Sequence, residues 1–183
     1  MRQLAMLLLF AAILCHSRPG AAGEAGGGAA AGTCGNKLID AGETCAQCSA
    51  DCAVQPCKPT KSHVVFAVDF TPPATPDITT AVLRVGYRSD RLSLPGTGAE
   101  KSVQSRLTSP SHSLMAFNDM DYALRIVASH AKAIPEGRLV TVEFDRCEGA
   151  PAPTASDLSC EIETCAASTG PSDGCRCQII ATQ

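Results

Sequence analysis

Cysteine is the residue type whose chemistry stands out in this chain, because its thiol can form disulfides or bind zinc. The sequence has 183 residues and 11 cysteines. Five lie between positions 34 and 57, five lie between 147 and 177, and none lies in the 89 residues between Cys57 and Cys147. Without Cys15, which ends an apolar N-terminal run, the candidates are Cys34, Cys45, Cys48, Cys52, Cys57, Cys147, Cys160, Cys165, Cys175 and Cys177.

An even number of cysteines in an exported chain is typical of a disulfide framework. The competing interpretation is a zinc site, because Cys45 and Cys48, followed by Cys52 and Cys57, have a spacing that zinc ligands use. Thiolate zinc sites belong mostly to reducing compartments, so we favour disulfides. Two sets of five cannot each pair internally. Either at least one bridge joins the two sets, or each set leaves a free thiol. Because free thiols are reactive in an oxidising compartment, we expect one bridge between the sets, with Cys57 as its N-terminal half.

Carboxylate chemistry is concentrated in one short segment. Asn118, Asp119 and Asp121 could hold a calcium ion, since calcium prefers oxygen ligands. The alternative, which we favour, is a turn in which Asn and Asp stabilise the backbone. Neighbouring Ser111, His112 and Ser113 do not by themselves predict a catalytic triad. No nucleotide-binding, zinc-protease or hydrolase motif occurs, so we expect no enzymatic activity and no resident cofactor, calcium excepted.

The N-terminus predicts export. Arg2 precedes an uncharged apolar run of 12 residues, positions 4–15, which is too short to cross a bilayer and is typical of a secretory signal peptide. Small residues allow cleavage between positions 22 and 31. A lipoprotein anchor at Cys15 is a less favoured alternative, because Leu14 is bulky. We assign residues 1–22 to the signal, 23–33 to a Gly/Ala linker, 34–57 to a Cys-rich module and 59–183 to the main domain.

The main domain is predicted to be mainly β, because apolar residues alternate with period two between turn-forming residues. On residues 138–147, for example, Val140, Val142 and Phe144 share one face, opposite Leu139 and its alternating neighbours. Residues 122–130 could also be read as helical, but alternation favours a strand. The long strands are predicted at 63–70, 78–88, 122–130 and 138–147, and short ones at 91–94, 102–107, 113–117, 160–164 and 176–181. This pattern indicates an antiparallel sandwich or barrel.

The Cys-rich module resembles a repeat found in exported bacterial proteins. Residues 34–52 read CGNKLIDAGETCAQCSADC, and such repeats begin Cys-Gly-Asn-Gly, continue with Gly-Glu-x-Cys and end in Ala-Asp-Cys. Lys37 stands where glycine is usual, and Ile39 stands where many copies have another cysteine. The resemblance implies a surface or spacer module, and the missing cysteine leaves one module cysteine in need of a distant partner.

The main domain is similar to cohesin-like, carbohydrate-binding-module-like sandwiches of exported bacterial proteins. The resemblance is carried by VLRVGY at 82–87, LPG at 94–96, NDMDY at 118–122 and GRLVTVEFD at 137–145. It implies a nine-stranded jelly-roll sandwich with a role in protein–protein attachment.

The expected function is therefore that of a non-enzymatic secreted or cell-surface interaction module with a protein partner. The alternative is a carbohydrate- or calcium-dependent adhesion module, although aromatic platforms for sugars are scarce, with no Trp and two Tyr. A hydrolase built from Asp and Glu is a third candidate. The net charge of −3 gives no electrostatic support for nucleic-acid binding, and no further segment could span a membrane.

Overall fold

The computed structural model describes residues 34–38, 40, 43, 47–52, 57–110, 112–119 and 123–182, and these form a mainly β molecule. Its helices are single turns: α1 (Ser49–Cys52), α2 (Lys101–Gln104) and a 3-10 turn at Ala155–Asp157. The strands are β1 (Pro59–Thr71), β2 (Ile78–Tyr87), β3 (Leu92–Ser93), β4 (Leu107–Thr108), β5 (Ser113–Asp119), β6 (Ala123–Ser129), β7 (Gly137–Cys147), β8 (Leu158–Ala167), β9 (Gly170–Pro171) and β10 (Arg176–Ala181).

These strands form two five-stranded antiparallel sheets within the described residues. Sheet A has the order β10-β1-β7-β3, with β4 also paired to β7. Sheet B has the order β5-β6-β2-β8-β9. The resemblance implies nine strands, whereas the described residues form ten, three of them only two residues long. The prediction of a mainly β, antiparallel two-sheet architecture is confirmed.

One hydrophobic core lies between the two sheets. The alternating residues Phe66, Val68 and Phe70 of β1 are buried in it, as are the alternating residues of β2 and β6. Tyr87 of sheet B packs on Phe144 of sheet A with ring centroids 5.2 Å apart. Burial of each large side chain contributes about 1.5–3 kcal/mol, so the period-two pattern dictates which face of each strand turns inward.

A β-bulge in β7 corrects one prediction. Val68 pairs with Val140, whereas the next residue of β1, Asp69, pairs with Arg138. Leu139 is therefore an extra residue that has no partner on β1. Both Leu139 and Val140 are completely buried, so the prediction that Leu139 lies on the opposite face from Val140 is wrong. Strict alternation fails at a bulge because two consecutive residues oppose one.

The predicted strand over 102–107 is also wrong in most of its length. The chain there forms α2, in which the Gln104 amide donates to the Glu100 carbonyl at 3.1 Å, and β4 begins only at Leu107. Val103 is completely buried. A single helical turn with one buried apolar residue has no repeated apolar spacing in its sequence, so it cannot be distinguished from a short strand by periodicity. By contrast, the strand interpretation of 122–130 is confirmed, since β6 covers Ala123–Ser129.

Disulfides connect the sheets along one side of the sandwich. Cys160 of β8 is bonded to Cys177 of β10, and Cys165 of β8 is bonded to Cys175, the residue before Arg176. Because β8 belongs to sheet B and β10 to sheet A, both bridges cross between layers. We call this side of the sandwich, between β8 and β10, the seam.

A third bridge joins the Cys-rich module to the sandwich. Cys57 is bonded to Cys147 across a sequence separation of 90 residues, which is the long-range connection that the two odd-numbered sets predict. Lys37 Nζ also lies 3.2 Å from Asp90 Oδ2, and the Cys57 amide donates to the Ser89 carbonyl at 3.2 Å. The module is thus held against the turn that follows β2.

The expected signal peptide and linker, residues 1–33, lie outside the described residues. In the ranges that the structure describes, no helix has the length and apolar character needed to cross a membrane.

Candidate binding surface

The outer face of sheet B carries an apolar centre that is open to solvent. Met115, Val127 and Val82 are direct cross-strand neighbours on β5, β6 and β2, and Phe117 lies two residues beyond Met115. Met115 is 54% exposed, and the other three side chains are half-buried. Their side chains lie on this face because the alternate residues of the same strands fill the core. We call these four residues the apolar face.

A shallow open depression lies within the apolar face. It has a volume of about 350 Å³ and is lined by Val82, Phe117, Val127 and the side chain of Arg125. Apolar side chains at the centre of a surface, with polar groups around them, are the usual composition of a protein-binding patch.

Charged side chains border the apolar face on one side. Arg125 Nε donates to Glu163 Oε2 at 2.6 Å, which links β6 to β8. In the same row as Arg125, Arg84 of β2 is the cross-strand neighbour of both Arg125 and Glu161. The border therefore contains both signs of charge in fixed positions. Such a border contributes orientation and specificity more than affinity.

The Cys-rich module reaches this border. Arg84 Nη1 donates to the carbonyl oxygen of Glu43 at 3.1 Å. Glu43 in turn accepts a hydrogen bond from the Asp40 amide at 3.1 Å and donates its own amide to the Asp40 carbonyl at 3.0 Å. The module is therefore positioned beside the apolar face by a side chain of sheet B itself.

The edge strand next to the apolar face is closed to further pairing along much of its length. The side-chain amide of Gln104 donates to the Ala116 carbonyl at 2.5 Å, and its oxygen accepts the Ala116 amide at 3.1 Å. Two residues on, the backbone of Asn118 exchanges hydrogen bonds with Gly98 at 2.7 and 2.9 Å. These contacts occupy the outward backbone groups of β5, so a partner would meet the face of sheet B and not this edge.

The predicted calcium cluster is not assembled by the described residues. Asn118 is buried, its Oδ1 accepts the Tyr87 hydroxyl at 2.8 Å, and its Nδ2 donates to the Gly96 carbonyl at 2.7 Å. Asp119 belongs to β5, although its side chain lies outside what the structure describes, as does all of Asp121. The Asn118 amide therefore serves to fasten the 96–98 loop to β2, which is a structural role close to the turn alternative.

The zinc alternative is contradicted for two of its four candidate ligands. Cys48 is bonded to Cys34, and Cys57 is bonded to Cys147, so neither has a thiolate available for a metal. Cys45 and the Cys52 side chain lie outside the described residues. The carboxylate of Asp51, which is 2% exposed, accepts backbone N–H groups from Gly35 and Lys37.

Lys37 adopts a backbone angle that glycine adopts more readily than other residues. Its φ is +66°, in the left-handed region that disfavours residues with a Cβ atom. The hydrogen bond from its amide to Asp51 at 2.6 Å and the ion pair between its ammonium group and Asp90 stabilise this conformation. The unusual lysine is therefore also a contact between the module and the sandwich.

Asp90 connects the module to the sandwich electrostatically. Hydrogen bonds from Arg88, at 2.8 and 3.0 Å, hold the pKa of Asp90 below its usual value of 3.8, and partial burial opposes this shift. Lys37 adds a smaller effect in the same direction as Arg88. The same carboxylate raises the pKa of Arg88. Because the folded state favours the ionised form of Asp90, this group stabilises the fold above its usual pKa and loses that effect as the pH falls.

A second ionic cluster lies on the outer face of sheet A. His63 lies inside β1, and its Nδ1 is 2.8 Å from Asp145 Oδ1. Arg106 Nη2 contacts the same carboxylate oxygen at 2.8 Å, and Arg106 Nη1 contacts Glu143. The residues are up to 82 positions apart, so no local pattern could reveal the cluster. Its contacts connect β1, β7 and the segment after α2.

The triad alternative at 111–113 gains no support. His112 Nε2 lies 2.9 Å from the Leu139 carbonyl, and its ring packs edge-on against His130 at 6.5 Å between centroids. Ser111 lies outside the described residues, and Ser113 is an exposed residue of β5. These contacts tie the start of β5 to β7 and to the end of β6.

No protein-family model matches this chain, and neither the curated proteins nor the solved structures include a significant match. The resemblances to a bacterial Cys-rich repeat and to cohesin-like sandwiches therefore remain predictions.

Proposed function

We propose that the chain is a non-enzymatic, exported interaction module that attaches to a protein partner through the apolar face of sheet B. The observation that carries this proposal is the solvent-exposed centre formed by Met115, Val82, Phe117 and Val127. Burying such a cluster against a partner releases about 25 cal/mol for each Å² of apolar surface removed from water. Ordinary sheet surfaces in contact with water alternate polar residues at these positions.

The surroundings of the face support attachment by a rigid, pre-formed surface. The face lies on three adjacent strands of sheet B, whose other sides are packed into the core. The charged border of Arg125, Glu163, Arg84 and Glu161 offers partners for complementary groups. A rigid surface loses little conformational entropy on binding, which favours affinity from a small contact area.

Export and a cohesin-like identity belong to the same proposal. Four disulfides among the described residues are typical of proteins in oxidising compartments, which supports the expected signal peptide and a secreted or cell-surface location. The jelly-roll, cohesin-like identity agrees with a two-sheet sandwich that binds through one sheet face. The absence of catalytic motifs from the sequence motivates the non-enzymatic part.

The calcium-dependent adhesion alternative loses Asn118 as a calcium-coordinating side chain, because both polar atoms of its amide are hydrogen-bonded within the protein. Phe117 is also the single aromatic side chain of the apolar face, and sugar platforms usually need broader aromatic surfaces.

The test is quantitative capture of proteins from the producer's own secretome on the immobilised mature chain. Met115→Glu places a charge at the centre of the face, whereas Ala131→Glu introduces the same charge at an exposed apolar residue after β6, which belongs neither to the apolar face nor to β10. We expect a captured protein whose affinity falls at least about tenfold for Met115→Glu, equivalent to about 1.4 kcal/mol, and is unchanged for Ala131→Glu. Equal capture by the Met115 variant, or capture of no protein, would refute the proposal.

A further inference from the structure

The edge strand at the seam, unlike β5 on the opposite side of the sandwich, has outward backbone groups that are not paired by any of the described residues. Strand β10 is the last strand of sheet A on this side. The Thr182 amide donates to the Val65 carbonyl at 3.3 Å, and Ala67 and Asp69 face Ile180 and Gln178 in the same register.

Bonded and non-bonded pairs alternate along an antiparallel ladder. Because Thr182 is in a bonded pair with Val65, Ile180 and Gln178 are the next residues bonded to β1. It follows that Cys177, Ile179 and Ala181 direct their backbone N–H and C=O groups away from β1. In β5, by contrast, the equivalent outward groups of Ala116 and Asn118 are occupied.

The core is also less completely covered at the seam than elsewhere. Eight apolar residues pack on the core while staying partly exposed, and five of them belong to the seam. Those five are Cys160, Ile162, Cys175, Cys177 and Ile179. The inward side chains of a strand added to β10 would lie over them, since inward residues of neighbouring strands share one face.

The outward side chains of β10 indicate the chemistry of the added strand. Ile180 is 37% exposed, and Gln178 and Arg176 are exposed on the same outer face. A residue placed opposite Ile180 would bury its side chain, and an acidic residue opposite Arg176 would form a cross-strand ion pair. Both kinds of cross-strand pair stabilise the pairing of neighbouring strands.

We propose that β10 accepts an extended segment of another polypeptide as an added antiparallel strand. The segment would have apolar residues at alternate positions facing the seam and an acidic residue opposite Arg176. Its backbone would form hydrogen bonds with Cys177, Ile179 and Ala181. This site is separate from the apolar face, which lies on the outer surface of the other sheet.

The probe is a fluorescent peptide with the order Val-Val-Ile-Thr-Val-Glu, in which the first residue pairs with Ala181 and the last with Arg176. We expect saturable binding measured by fluorescence anisotropy. Replacing the peptide's glutamate by lysine should weaken binding several-fold. Met115→Glu should leave peptide binding unchanged, so that failure of this inference and failure of the proposed function can be told apart.

Two matched comparisons test the pairing itself. Ala181→Pro removes an outward N–H and leaves the β10–β1 ladder intact, because proline is tolerated on an edge strand; Ala181→Val is its control. N-methylation of the peptide's isoleucine blocks an N–H that faces β10, whereas N-methylation of its threonine blocks one that faces away. The second comparison does not depend on the folding of any protein variant.

We expect the Ala181→Pro protein, and separately the peptide methylated at isoleucine, to bind at least about tenfold more weakly than the parent protein and peptide. The Ala181→Val protein and the peptide methylated at threonine should bind with nearly the parent affinity. A peptide concentration of about 1 mM is enough to detect even a weak complex with a Kd of about 1 mM. The absence of saturable binding up to that concentration would overturn the proposal. Equal effects of the two methylations would do the same. Dimerisation of the protein that Ala181→Pro abolishes would identify a second copy, and not a foreign segment, as the occupant.

Discussion

The bridge between Cys57 and Cys147 should contribute more to stability than any shorter bridge in the described structure, and this can be measured against Cys165–Cys175. The sequence separations are 90 and 10 residues. In the chain-entropy description, a cross-link restricts the unfolded chain by an amount that grows with the logarithm of the loop length. The expected contributions at 25 °C are about 4.6 kcal/mol for the long loop and about 2.7 kcal/mol for the short one.

The two bridges make a well-matched pair because one cysteine of each is buried to a similar degree. Cys147 is 5% exposed and Cys165 is 6% exposed. Replacing both members of a bridge by alanine therefore removes a comparable amount of buried sulfur in each case. The difference of about 2 kcal/mol should then report loop length rather than packing.

The assay is urea unfolding under non-oxidising, non-reducing conditions, followed by far-ultraviolet circular dichroism because the chain contains no Trp. The Cys57→Ala/Cys147→Ala protein should lose about 2 kcal/mol more free energy of unfolding than the Cys165→Ala/Cys175→Ala protein. The free energy of unfolding of the Cys57→Ala/Cys147→Ala protein should also fall more steeply with urea concentration, because its unfolded chain is less restricted and exposes more surface. Equal losses in the two double variants would refute the loop-closure reasoning.

Three further predictions concern single side chains. Asn118→Ala should destabilise the fold by about 1–3 kcal/mol, because it removes both hydrogen bonds of the buried Asn118 amide, to the Tyr87 hydroxyl and to the Gly96 carbonyl. Calcium should not shift the melting temperature of either protein; a calcium-dependent shift in the parent would restore the metal interpretation. Gln104→Ala should accelerate hydrogen exchange at the Ala116 amide with little change at core amides, measured by exchange mass spectrometry or NMR; unchanged exchange would show that the edge is not protected by this side chain. Asp90→Asn should lower stability near neutral pH, and its difference from the parent should disappear as the pH falls well below 3.8; a difference that stays constant with pH would contradict the ionic role.

The sequence was most informative where chemistry is constrained by counting or by strict alternation. Two sets of five cysteines require a connection between them if all are bonded, and the bond from Cys57 to Cys147 is that connection. Alternation likewise identified the buried faces of β1, β2 and β6, because a slip of one residue would expose every apolar side chain. Both inferences rest on rules that do not depend on the rest of the fold.

Local sequence patterns were less informative where the burial of a single side chain determines the backbone conformation. Leu139 is buried because β7 has a bulge there, and nothing in the surrounding sequence marks the extra residue. Residues 101–104 form a helical turn because Val103 enters the core. In both places the energy of burying one side chain outweighs the small preference of the local backbone.

The sequence by itself determined that this chain is mainly β, that its cysteines are divided between its two ends, and that a bridge joins the two sets if all ten cysteines are bonded. The tertiary structure decided which surfaces remain open. The Gln104 side chain binds the outward backbone groups of β5, and Asn118 is buried and hydrogen-bonded to Tyr87. The apolar face and the β10 edge are exposed. The physical reason is that burial and pairing depend on the register between strands, and residues as distant as Arg84 and Glu161 become neighbours only when the sheets have formed.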